Sequence, residues 1–115
     1  MPDVPPLPEP LPGPVTDTHC HLDIARRGGP DQSVDPAVAL DRAAAVNVSR
    51  VVQIGTDPPG SAWAVEAAGR FPNVVAGVAI HPNEAPRLAA GGELDAALAE
   101  IDRLAGRLDR PRRSG

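Results

Sequence analysis

The chain has no lysine and no tyrosine, a single cysteine, and only two aromatic side chains, Trp63 and Phe71. One cysteine excludes an internal disulfide and fits a reducing, cytoplasmic compartment. The scarcity of aromatics and the use of Arg for every basic residue, set against abundant Ala, Pro and Gly, read as a compositional bias of the source genome and point to no function. Positive charge is also short. Acidic residues outnumber basic ones 15 to 11, for a net charge of −4, and no basic stripe is visible. That argues against general electrostatic capture of nucleic acid. No apolar run approaches the length of a membrane span. The N-terminus has an acid, no basic region and no continuous apolar core, so it is not a signal peptide. At 115 residues the chain makes at most one domain with a modest core.

What the chain has in excess is proline, and seven of its prolines fall in residues 1–14, MPDVPPLPEPLPGP. Proline fixes φ and lacks an N–H, so this segment forms neither a helix nor an interior strand. It reads as an extended, polyproline-like or disordered arm. Pro5 to Pro8 matches a PxxP spacing, but no Arg flanks it, and a plain tail is the better reading than a partner-binding motif. The basic end, residues 109–115, reads as a disordered tail.

The rest is organised around Val15 to Asp23, VTDTHCHLD. Side chains on a strand alternate faces, so Asp17, His19, His21 and, if the strand runs that far, Asp23 point one way, while Thr18, Cys20 and Leu22 point the other. Two imidazoles on one face of a strand end can bind one cation together. Imidazole suits Zn, Mn, Fe and Ni, and neighbouring carboxylates extend the choice to harder ions. Cys20 lies between the histidines, yet its parity turns it away from them. It reads as a small buried hydrophobe rather than a third ligand.

From Val15 onward strand and helix patterns alternate. A first strand at about 14–19 is followed by a Gly/Pro-containing loop, Arg26 to Ser33. Asp35-Pro36 starts a helix whose face carries Ala37, Leu40, Ala44 and Val48, and Asn47 suits its stop. Arg50 to Gly55, RVVQIG, reads as a strand buried on both faces. A turn at Thr56 to Gly60 leads to a helix at about 60–69 carrying Trp63 and Ala67. A third strand, Asn73 to Ile80, ends at His81-Pro82. A last helix at about 93–108 shows Leu94, Leu98, Ile101, Ala105 and Leu108 on its apolar face. This βαβαβα order predicts an α/β fold with a parallel sheet. Each βα unit is roughly 30 residues, the unit size of an eight-stranded α/β barrel of about 250 residues. All three histidines, His19, His21 and His81, fall at the C-terminal ends of strands, where sites of α/β folds lie.

Three blocks, Asp17-Thr-His-Cys-His-Leu-Asp23, Val51-Val-Gln-Ile-Gly-Thr-Asp57 and Gly77-Val-Ala-Ile-His-Pro82, resemble in order and spacing the first three signatures of the TatD family of metal-dependent hydrolases, often described as deoxyribonucleases. The first block is shared with many barrel metallohydrolases, while the three together are more specific. The resemblance covers about residues 15–108. It implies a partial TIM-type (β/α) barrel of about three βα units, a centre of one or two divalent cations (Zn, Mn or Mg), and DNA or another phosphodiester as substrate. By the same resemblance His19 and His21 are metal ligands, and His81 is a phosphate-facing or active-site residue, with capping of the His-Pro-Asn turn as its other reading. Asp17 and Asp23 are candidates for orienting the imidazoles by accepting their other N–H, although strand-end or turn roles suit them equally. Asp57 and Asn83 fit turn-making at the same rim.

The departures from the family are as informative. The family's metal-bridging Glu, two later histidines and a final Asp have no counterpart here, and Glu66, Glu84 and Glu93 lie in no matching block. The expectation is therefore the N-terminal portion of a TatD-like hydrolase, inactive by itself. Two alternatives stay open: another barrel metallohydrolase acting on C–N bonds, and a non-enzymatic remnant.

Overall fold

The structure, a computed structural model, describes residues 6–23 and 35–108. The Arg26–Ser33 loop, Pro5 of the PxxP spacing and the basic tail 109–115 lie outside the described residues. The elements run β1 (Val15–Cys20), α1 (Pro36–Ala45), β2 (Val48–Ile54), α2 (Pro58–Arg70), β3 (Val74–Gly77), α3 (Ala85–Ala90) and α4 (Leu94–Leu108). The three strands form one parallel sheet in the order β1-β2-β3. The α/β class and the parallel pairing agree with the alternating sequence pattern.

Helix α1 starts where Asp35 accepts a hydrogen bond from the Ala37 N–H at 2.8 Å, with Pro36 in its first turn. Asn47, at φ 72°, closes it in the left-handed region that Asn tolerates. The helix ends at Ala45, so Val48 does not extend its apolar face. The turn at Asn47 delivers Val48 as the first residue of β2 instead. The same turn ties down the Pro-rich arm. Leu11 N–H donates to the Val46 carbonyl at 3.1 Å, the Asn47 side-chain amide donates to the Leu11 carbonyl, and Val15 N–H donates to the Asn47 carbonyl at 2.8 Å. Residues 6–14 carry no helix or strand and are largely exposed, but the arm is anchored at Leu11 before β1 begins.

The core gathers between sheet and helices. Leu40, Val51, Ala67 and Val74 are buried together, with Cys20, Leu22, Val48, Trp63, Ala68 and Phe71 packed around them. Each buried Leu or Val side chain contributes about 1.5–3 kcal/mol of transfer free energy. Helix α1 packs on β2, α2 on β2 and β3, and α4 on α2. The buried residues of α4 are Ala97 and Leu104, whereas Leu98 is 51% exposed. The inward stripe thus runs through Ala97, Ile101 and Leu104 and is rotated from the Leu94-Leu98-Ala105 face that periodicity favours.

Two further boundaries differ from the sequence expectation for local reasons, and one helix is new. Helix α2 begins at Pro58, because Asp57 accepts from the Gly60 N–H at 2.7 Å and draws both prolines into the first turn. Strand β3 stops at Gly77 rather than Ile80. Beyond it the fully buried Ser61 hydroxyl takes both the N–H and the carbonyl of Ala79, each at 3.1 Å, and pulls that segment off the ladder. Helix α3 is unannounced in the sequence pattern. It is short, has no buried residue, and is braced by Arg87 on Glu84. No helix among the described residues is long and apolar enough to cross a membrane.

Candidate metal centre

The site lies where β1 and β2 end together. In the β1–β2 pairing, Asp17 opposes Val51 and Cys20 opposes Gln53, so β1 spends one extra residue between the two pairs. Such a bulge re-aims side chains at a strand's end. Asp17 Oδ1 accepts from the His19 N–H at 3.0 Å across this irregular stretch, which fixes the backbone that carries the first imidazole. The His19 and His21 rings then stand edge to face, their centroids 5.0 Å apart and their planes at 79°. Cys20 and Leu22, between and after them, pack against the core, whereas Thr18, expected on the same face, is exposed. Burial pushes the Cys20 thiol above its ordinary pKa, and the carboxylates of Asp17 and Asp23 push it in the same direction.

His21 Nδ1 lies 3.0 Å from the carbonyl oxygen of Ile54. A carbonyl only accepts, so Nδ1 carries the proton and Nε2 keeps its lone pair. This is the arrangement of a metal-binding histidine whose second nitrogen is held by the protein. Two neighbouring imidazoles are a donor set suited to a cation such as zinc. Among the described residues no group of three or more His, Cys, Asp or Glu side chains is placed to complete it.

The carboxylates flanking the pair have hydrogen-bond partners of their own. Asp17 accepts from a backbone amide, and Asp23 Oδ1 accepts from the Gln53 side chain at 2.9 Å. Asp23 also lines a cavity of about 470 Å³ with Thr56, Asp57, Pro59, Gly60 and Trp63, beside the strand ends. A second cavity, about 430 Å³, lies between the start of α2 and helices α3 and α4. It contains no histidine, and its Arg87 is engaged by Glu84.

His81 reaches the same rim from β3. Its N–H donates to the Thr56 carbonyl at 2.7 Å, which keeps the exits of β2 and β3 side by side. Its Nδ1 accepts from the Asn83 N–H at 3.0 Å, so the proton sits on Nε2, and the exposed ring can offer that N–H outward. Asp57 caps α2, the turn-making role expected of it. Sequence reasoning missed Gln53, which reads there as one polar letter in an apolar strand. It is fully buried, its Oε1 accepts from the Leu22 N–H at 2.7 Å, and its Nε2 reaches Asp23. A polar residue in a strand expected to be buried on both faces was the available signal, since such a residue must find partners.

The family described as TatD related DNase matches residues 16–112. Over 90 residues the chain is 37% identical to a Mycobacterium tuberculosis (strain ATCC 25618 / H37Rv) protein named uncharacterized metal-dependent hydrolase TatD, an alignment covering 78% of this chain and 31% of that protein. The chain therefore spans about a third of that relative's length. No solved structure gives a significant match. A family match across nearly all of the chain, together with paired histidines at the end of the first strand, makes this protein a member of the TatD family of metal-dependent hydrolases.

Proposed function

We propose that this chain supplies the first three βα units of an α/β-barrel hydrolase that cleaves phosphodiester bonds of DNA with a divalent cation, and that His19 and His21 hold that cation. The observation that carries the reading is the paired imidazoles, 5.0 Å apart, with His21 Nδ1 engaged by the Ile54 carbonyl and Nε2 left as a donor to metal. Imidazole ligands favour Zn or Mn over Mg, which prefers oxygen. A divalent cation bound there supplies Lewis acidity and lowers the pKa of a water nucleophile. The chain's own contributions are then distinct. Ile54 fixes the tautomer and direction of His21. Asp17 fixes the backbone at His19. His81 offers Nε2–H to a phosphate oxygen, a charge-assisted hydrogen bond. DNA as the partner and the cytoplasm as the compartment rest on the family resemblance and on the lone, unpaired Cys20.

Two ligands bind weakly where catalytic zinc sites use three. The 115-residue chain should therefore bind Zn²⁺ or Co²⁺ weakly and cleave neither single- nor double-stranded DNA. Calorimetric titration of Zn²⁺ into the chain and into its His19→Ala/His21→Ala variant tests the site. Loss of binding in the variant supports it, and equal binding would place the ligands elsewhere. Metal-dependent DNA cleavage by the chain, abolished by His19→Ala, would overturn the inactive reading and keep the nuclease one.

A further inference from the structure

We propose that Gln53 is the positioning residue of the histidine pair: its buried carboxamide grips the turn after β1 and so sets where His21 stands. The inference rests on the reading of His19 and His21 as metal ligands. Strand β1 ends at Cys20, which pairs with Gln53, so His21, Leu22 and Asp23 lie beyond the regular ladder. Two consecutive residues of β2 take over from it. Gln53 Oε1 accepts from the Leu22 N–H at 2.7 Å, and Gln53 Nε2 donates to Asp23 Oδ1 at 2.9 Å. The next residue, Ile54, holds His21 Nδ1 through its carbonyl. Each residue of the segment 21–23 is thereby fixed to β2 by one hydrogen bond. Gln53 is 0% exposed and sits beside the core residue Val51. A buried carboxamide is tolerated there only because both of its ends are satisfied. A leucine would fill the space and release both Leu22 and Asp23.

The hydrogen bonds have a direction, which gives a specific test. Gln53→Glu keeps the shape and the acceptor for Leu22 but sets a carboxylate against Asp23. The double variant Gln53→Glu/Asp23→Asn restores the contact with donor and acceptor exchanged. Gln53→Leu removes both bonds. Co²⁺ alone is titrated by absorbance into the 115-residue chain and each variant, after circular dichroism shows the fold retained. Gln53→Glu and Gln53→Leu should lower Co²⁺ affinity about 10–100-fold, the usual loss when a ligand's supporting partner is removed. The double variant should recover most of that loss. In the metal-free chain, NMR should show the Leu22 amide protected from exchange, that protection lost in Gln53→Leu, and the His21 ring signals shifted in Gln53→Glu and restored in the double variant.

Equal Co²⁺ binding by wild type and His19→Ala/His21→Ala would overturn the metal reading itself. Wild-type binding through the histidines with undiminished affinity in Gln53→Glu, or a Leu22 amide that exchanges freely in the wild type, would overturn the role of Gln53 alone. Failure of all three Gln53 variants to fold would assign the residue to core stability and overturn it too.

Discussion

Gly55 and Ser61 meet backbone to backbone: a Cβ on Gly55 would stand 2.3 Å from the Ser61 hydroxyl oxygen and 2.5 Å from its Cα. The contact lets α2 start directly against the end of β2, and it puts the Ser61 hydroxyl where it can hold Ala79, two residues before His81. Only glycine leaves room, because behind the Ser61 hydroxyl stand its Cα and backbone N, which cannot swing away as a side chain could. Gly55→Ala should therefore destabilise the chain by about 1–3 kcal/mol through overpacking. Its urea midpoint should fall relative to wild type, and an unchanged midpoint would mean that the two elements are not packed this closely. Ser61→Ala, which strips Ala79 of its partners, should cost a similar amount.

Helix α4 offers a contrast within one element. Leu104 is 0% exposed and Leu98 is 51% exposed, although both belong to its apolar residues. Leu104→Ala should cost about 2–5 kcal/mol, while Leu98→Ala should cost little more than its small change in exposed surface. Thermal unfolding of the two variants side by side measures this. Equal losses would return the buried stripe to the side of the helix that carries Leu98.

Leu98 also shows why some of the fold was legible in the sequence and some was not. Apolar spacing announces that residues 94–108 form a helix but leaves open which of two overlapping stripes faces inward, because small Ala97 counts for little in a periodicity and much in a close contact with α2. Chemistry confined to neighbouring letters was readable: His19 and His21 share a strand end, Asp35-Pro36 and Asp57 cap helices, and Asn47 turns. Chemistry across the sheet was not. The length of β3 depends on the Ser61 hydroxyl, and the hold on the β1 exit depends on Gln53 and the Ile54 carbonyl, more than thirty residues from His21 in sequence. Helix α3, with no buried residue, leaves no hydrophobic pattern to detect.

Cys20 gives a pH-dependent expectation for the metal-free chain. Burial, then the charges of Asp17 and Asp23, hold its thiol above the ordinary value. At mildly alkaline pH the folded protein should carry less thiolate than the unfolded chain, so iodoacetamide should alkylate Cys20 more slowly in buffer than in urea. The linkage has one sign. The folded state keeps its proton longer, so stability is fully present below the unfolded thiol's pKa and declines as pH rises through the folded one. A Cys20→Ser variant should lose that alkaline decline. Faster alkylation in the folded state would contradict the burial.

The sheet leaves its flanks open. Among the described residues β1 and β3 each pair with β2 alone, so each has one flank with no neighbouring strand. The side chains of Val15 and Val75 on these strands are 42% and 41% exposed. Edge strands carrying exposed β-branched residues template association with other chains. The 115-residue chain should therefore self-associate as its concentration rises, with a sedimentation coefficient that grows across a dilution series and a melting transition that shifts with concentration. Lysine at position 75, Val75→Lys, should weaken the association through charge repulsion while leaving the β2–β3 pairing in place. A monomer at every concentration, with a sharp melting transition that does not move, would show that these edges are protected by something other than strand pairing.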